Sequence, residues 1–201
     1  MKGKVFITAI CLLGFIQLWA SENVKEITYK VDGSKSKINW IGTKPTGQHN
    51  GTVDVTEGYV AFRNNKLTGG TFTIDLRTIV DLDLESETWN KKLVDHLKSE
   101  DFFYVEKYPT ATFEITKVET LSGDDYKISG YLTMRDVTKA VSFQANIKQE
   151  NSSITAITEK FTLDRTQWNV KALSKSVFSD LKDKYVDDEI QVEAKLFATL
   201  P

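Results

Sequence analysis

Two histidines and a short acidic run set the limits on what chemistry this 201-residue chain can perform. Asp95-His96 with Ser99 three residues on invites a nucleophile-and-base reading, since a hydroxyl becomes a nucleophile when a base within hydrogen-bond reach takes its proton. On a helix, however, consecutive side chains point about 100° apart. No glycine elbow or oxyanion-hole pattern accompanies the serine. His96 reads more simply as a helix-face residue near a C-terminus, where partial positive charge is favoured. Asp81, Asp83 and Glu85 are evenly spaced, but such a run commonly marks a solvated face, and it lacks the glycine and closing glutamate of a calcium hand. His49 and His96 could share a zinc only if a carboxylate joined them. The residue types therefore point to no catalytic group, no metal and no cofactor. A small hydrolase built on His96 or His49 stays as the enzymatic alternative.

The elements around these residues are almost all β. Ile27, Tyr29 and Val31 alternate, as do Ile38 and Trp40, Val53 and Val55, and Phe72, Ile74 and Leu76. Phe113 and Ile115 follow, then Ile128 to Met134, then Val141, Phe143, Ala145 and Ile147, and finally Ile190 to Ala198. A strand is also expected from Ile154 to Leu163. Period-two patterning with a polar opposite face predicts antiparallel strands with one side in water. Asn64-Asn65 and Gly123-Asp124 supply turns. Lys44–Gly51 reads as a hairpin connection or an opened rim, Arg135–Lys139 as another connection, and Trp168–Asp188 as a loop with a short helical piece. About eight to ten strands favour a sandwich or barrel, and closure into a barrel would remove exposed edges.

The exception lies at Lys91–Ile115. Trp89, Leu93 and Leu97, with Val94 beside them, form an apolar stripe on a helix, with Thr88 as its expected N-cap. Phe102 and Phe103 follow, and Pro109 blocks further helix. A lone helix and an aromatic pair between two β halves suggest a lid over a closed sheet. Trp40, Phe62, Phe72, Phe113, Phe143, Phe161 and Tyr131 fall on strand-like segments. Singly, each suits a packed core. Collectively they could line a channel for a long apolar ligand, each buried methylene contributing about 0.8 kcal/mol. Whether the interior is hollow or filled is left open by the pattern, and a structural or stress-related module with a filled core is the third alternative.

At the N-terminus, Lys2 and Lys4 precede an apolar run from Val5 to Trp19, broken by Thr8, Gly14 and Gln17 and ended by Ala20. This pattern predicts a cleavable signal peptide over 1–20, with an uncleaved anchor as its rival. Cys11, the only cysteine, follows Ile10 within the run, which suits residence in the leader rather than lipid modification. The exported domain, 21–201, would then hold about 180 residues, no disulfide and one sizeable core. Losing Lys2 and Lys4 shifts its formal net charge from −2 to −4. Scattered charges of both signs argue against nucleic acid. No other stretch is apolar enough to span a membrane. A homodimer is the default oligomer, though no surface for it is marked.

The central block, Asp95-His96-Leu97, Ser99, Asp101-Phe102-Phe103 and Lys107-Tyr108-Pro109-x-Ala111-Thr112-Phe113, resembles the YceI-like periplasmic polyisoprenoid-binding proteins. Gly130-x-Leu132-Thr133-Met134 with Val137-Thr138-Lys139 and Val141 is similar too. So is Trp40-x-Gly42-x-Lys44-x-x-Gly47-x-His49-x-Gly51, and Arg165-x-x-Trp168 extends the likeness towards the C-terminus. The resemblance implies a lipocalin-like antiparallel barrel of about eight strands in the periplasm, holding a polyisoprenoid, a quinone tail or a similar long-chain lipid. It implies no catalytic residue. The expected channel and lid residues are Trp40, Phe62, Phe72, Ile74, Leu97, Phe102, Phe103, Phe113, Ile128, Phe143 and Phe161.

Overall fold

Among the described residues, alternating apolar residues become ten strands, and the long helical stripe becomes one α-helix. A computed structural model of the protein describes residues 25–201. The expected leader, with Cys11 and the boundary at Ala20, lies outside the described residues. In chain order the strands are β1 (Ile27–Val31), β2 (Lys37–Lys44), β3 (Gly47–Arg63) and β4 (Lys66–Asp81). The helix α1 (Glu87–Lys98) follows, then β5 (Thr110–Ser122), β6 (Asp125–Met134), β7 (Val137–Glu150), β8 (Ser153–Thr158), β9 (Phe161–Asp164) and β10 (Glu189–Thr199).

Every strand pairing is antiparallel, and the path closes. From β2 to β8 each long strand pairs with the next, β8 pairs β10, and β10 pairs β2. This is an eight-stranded ring, an antiparallel barrel. The two remaining strands share slots already in use. β1 sits between β3 and β10 beyond the end of β2, and β9 continues along β10 from where β8 stops. One wall position is thus built from two short strands in each case. Closure leaves few unpaired edge groups, which removes the usual risk of edge-to-edge association.

Local chemistry explains the turns. β3 and β4 meet through Asn64-Asn65, and β6 and β7 through Arg135-Asp136; all four residues have positive φ, between 50° and 58°. Two-residue turns with both central residues left-handed match the twist of the strands they join. Asn tolerates that backbone; Arg135 is held there by its own head, which donates to the carbonyls of Phe102 and Asn169.

Several boundaries differ from expectation. Lys44–Gly51 is a hairpin and not an opened rim, and it is mostly strand: only Pro45 and Thr46 lie between β2 and β3. Val137–Lys139 likewise belongs to β7. Both segments have outward polar residues, which mimic loops in a sequence. The strand expected over Ile154–Leu163 breaks at Glu159-Lys160 into β8 and β9. Helix α1 begins two residues earlier than expected, with Ser86 rather than Thr88 at the N-cap. Its apolar stripe is shallower than the spacing suggested: no residue of α1 is fully buried, and Trp89 is 59% exposed under the Lys92 ammonium.

Candidate functional site

Inward positions of the ring converge on a cavity of about 230 Å³. Its wall presents apolar surface alone. The reason is the strand period: along β6, Tyr126, Ile128, Gly130, Leu132 and Met134 are buried while most of the residues between them face outward. The same alternation on β4 turns Phe72, Ile74 and Leu76 inward.

An aromatic ladder runs across one wall. Phe72 and Phe113 stack with ring centres 6.5 Å apart, Phe113 meets Phe143 at 5.4 Å, and Phe143 stacks on Phe161 at 4.6 Å. These rings come from β4, β5, β7 and β9, so distant parts of the chain build one surface. Offset aromatic pairs of this kind contribute about 0.5–1.5 kcal/mol beyond the area they bury. Trp40 reaches the cavity from β2, and its indole nitrogen is buried without a hydrogen-bond partner. Ile74 and Ile128 complete the strand contribution.

Closure over the cavity comes from outside the sheet. Leu97 projects from α1, and Phe102 and Phe103 follow from the turn after it. That turn is tightly bonded: Phe103 N donates to the Leu97 carbonyl at 3.0 Å, and Val105 N to the Lys98 carbonyl at 2.9 Å. The segment after β9 adds Arg165, which is 1% exposed yet touches the cavity. Its guanidinium donates to the carbonyls of Asp187, Val170 and Val186 at 2.7–3.0 Å and lies over the Phe102 ring. Burial pulls its pKa down, and the carboxylates of Asp188, Asp164 and Asp187 oppose that shift. Trp168, two per cent exposed, donates its indole N–H to the Leu132 carbonyl at 3.0 Å.

Ten of the eleven expected channel and lid residues therefore meet at one cavity. Phe62 does not. It is buried in the same core but does not line the cavity, and sits edge-on to Tyr29 at 5.8 Å, because its part of β3 pairs with β1. Tyr131 points out and is 50% exposed. The spacing gave no sign of Arg165 and Val186 on the cavity; only the Arg165-x-x-Trp168 match hinted that the segment mattered.

The histidines lie elsewhere. His96 packs edge-on against Phe102 and faces Asp101 at 3.3 Å. The Ser99 hydroxyl donates to the backbone carbonyl of His96, not to its ring, so no serine–imidazole pair forms there. His49 sits on β3 with Nδ1 2.9 Å from Asp83 and Nε2 3.1 Å from the Lys44 ammonium. Beside it, burial holds the Asp81 carboxyl above the usual carboxylate range. Burial acts on Asp83 in the same direction but is outweighed by the Asn50 N–H and His49, which hold it below. The acidic run is therefore not one solvated face, since Asp81 is buried.

Comparison with known proteins places this architecture. Protein YceI of Escherichia coli O17:K52:H18 is 41% identical over 86 residues, which covers 39% of this chain and 44% of the relative. The match thus spans under half the length of such curated relatives. The crystal structure of Burkholderia cenocepacia BcnA superposes with a TM-score of 0.67 at 24% identity, over 84% of this chain and 99% of that one. A domain from Saccharophagus degradans, described as polyisoprenoid-binding, superposes with a TM-score of 0.62 at 15% identity, over 86% and 98%. At those identities the two structures speak for the fold. The YceI-like domain family matches residues 29–198, nearly every residue of the barrel, and the chain belongs to that family.

Proposed function

We propose that the protein binds a long apolar lipid, with a polyisoprenoid chain or quinone tail as the leading class, inside the barrel. On this reading it acts in the periplasm as a carrier or store and not as an enzyme. The observation that carries the reading is the cavity wall: it is bounded by the ring and by Leu97, Phe102 and Phe103, and it offers a ligand only apolar surface. Such a wall gives affinity through hydrocarbon burial, about 0.8 kcal/mol per methylene, and gives little to a polar substrate, whose desolvated groups would find no partners. The description of the Saccharophagus degradans domain as polyisoprenoid-binding supports the same class of ligand. Among the described residues no helix is long and apolar enough to cross a membrane.

Native mass spectrometry after gentle purification tests this directly, with a stoichiometric long-chain lipid as the expected finding. Delipidated protein should take up a polyprenyl or quinone ligand again. Phe113→Trp, placed in the middle of the aromatic ladder, should weaken long-chain uptake while circular dichroism stays unchanged. A delipidated protein that takes up neither ligand overturns the proposal.

A further inference from the structure

Beside the barrel, three side chains present metal-ligating atoms to one another. His49 Nδ1, Asp81 and Asp83 each offer one such atom, and these atoms lie within 4.8 Å of one another. The two carboxylates are oriented for the purpose. Asp81 Oδ1 accepts from Leu84 N at 2.9 Å and Asn90 Nδ2 at 3.2 Å, and Asp83 Oδ1 accepts from Asn50 N at 2.6 Å. Fixing the outer oxygens leaves both Oδ2 atoms facing His49, at 4.0 Å from Asp81 and 2.9 Å from Asp83. Outer hydrogen bonds that aim ligand atoms in this way are a regular feature of metal sites.

The second observation is independent of the clustering. The Asp81 side chain has no solvent exposure, and its Oδ2 has no hydrogen-bond partner. A simple His49–Asp83 ion pair accounts for Asp83 but leaves the buried oxygen of an ionised Asp81 facing only the Asp83 carboxylate, a like charge, which is costly. We propose that His49 Nδ1, Asp81 Oδ2 and Asp83 Oδ2 form a site for a divalent transition-metal ion, with Zn²⁺ as the best match and water as the fourth ligand. Tetrahedral zinc with bonds of about 2.0–2.2 Å places its ligands roughly 3.3 Å apart. The two distances from His49 Nδ1 lie on either side of that value, so small rotations complete the geometry. One imidazole and only two carboxylates suit zinc better than calcium or magnesium, which favour more oxygen ligands.

The site has a structural consequence. Asp81 ends β4, Asp83 lies in the segment leading to α1, and His49 sits near the start of β3. A bound ion would staple this corner of the barrel to the root of the helix that carries Leu97. Lys44 opposes binding: ligation at Nδ1 puts the ring proton on Nε2, so the Lys44 ammonium must give up its 3.1 Å contact there. Its charge also repels the incoming cation.

The test uses the protein as recovered from cells, without a histidine tag, stripped with EDTA and titrated with ZnCl₂ by calorimetry. One equivalent should bind. His49→Ala and Asp81→Asn should each weaken binding about a hundredfold or more. Lys44→Gln should tighten it up to about tenfold, by removing a like charge. His96→Asn should change nothing. Circular dichroism confirms folding of each variant, and half-buried His49 carries the test if Asp81→Asn fails to fold. Absence of stoichiometric zinc uptake overturns the proposal. So does binding that survives His49→Ala, or that is lost equally in His96→Asn.

Discussion

Arg165 shows how much a single residue can determine in this fold. Its guanidinium is 1% exposed, donates to three backbone carbonyls and faces Asp188 at 3.6 Å. The carbonyls of Val170, Val186 and Asp187 belong to the long segment between β9 and β10, which has little regular structure to satisfy them. Arg165→Met preserves much of the apolar stem but leaves these acceptors unpaired and takes the counter-charge from Asp188. The expected cost is about 3–5 kcal/mol, since removing one partner of a buried charged network is far worse than replacing the whole network. Urea unfolding measures it; a loss under about 1 kcal/mol would show that the carbonyls find water instead. At the surface, Arg77 chelates Asp75 through two hydrogen bonds of 2.8 Å and holds its carboxyl below the usual range, although burial pushes the other way. A lowered carboxyl pKa stabilises the fold above the unfolded value of about 3.9, and that contribution is lost as pH falls through the folded value. Arg77→Gln should therefore raise the Asp75 pKa seen by carbon-detected NMR and move the onset of acid unfolding to higher pH. An unchanged Asp75 titration would show that the chelate does not persist in solution.

Between elements, strand packing depends on close approach. Gly130 on β6 lies against the Glu114 carbonyl of β5, and a Cβ there would collide with that oxygen and come within 2.7 Å of the Phe113 ring. Gly130→Ala should cost about 1–3 kcal/mol through overpacking, and it should also disturb the aromatic ladder and weaken uptake of an apolar ligand. Thermal melts and ligand titration check both effects; an unperturbed melting temperature would mean that β5 and β6 separate without strain. Strands such as β4 and β6 were legible in the sequence because their inward residues are large and apolar and their outward ones polar. The first residues of β7 were not, because Thr138, Lys139 and Ala140 are exposed and no apolar partner marks the pleat. Phe62 had the right period for an inward residue, yet period two reports only the face of a strand, not which stretch of a long β3 borders the cavity. Apart from the Arg165-x-x-Trp168 match, nothing in the pattern marked Arg165 as buried, since a charged residue is expected outside until tertiary contacts satisfy it. His49 and Asp83 stand 34 residues apart, and only the pairing of β3 with β4 brings that corner together.

At the scale of the molecule, ring closure and the lid segment act together. The sheet fixes the width of the cavity, whereas Leu97 and Phe103 are only half-buried; Leu97 sits on a helix with no buried residue, and Phe103 on the turn that follows it. Elements with little buried apolar contact are the ones that open at low free-energy cost, so entry by a lipid tail should go through the α1 side while the ring stays intact. A ligand that binds the folded barrel and not the unfolded chain stabilises it by about 2.7 kcal/mol at a hundredfold excess over Kd. For a domain of this size that corresponds to a rise of roughly 5–10 °C in Tm. A series of isoprenoid alcohols of increasing length sharpens the expectation. Each methylene that enters the cavity adds about 0.8 kcal/mol, so affinity should climb with length and then level off once the tail outgrows the enclosed space. The length at the plateau measures the usable interior. Phe143→Ala, which removes a ring from the ladder and enlarges that interior, should move the plateau to longer chains even though it lowers the stability of the empty protein by about 3–5 kcal/mol. Affinity that is independent of chain length, in either protein, would place the ligand outside the barrel.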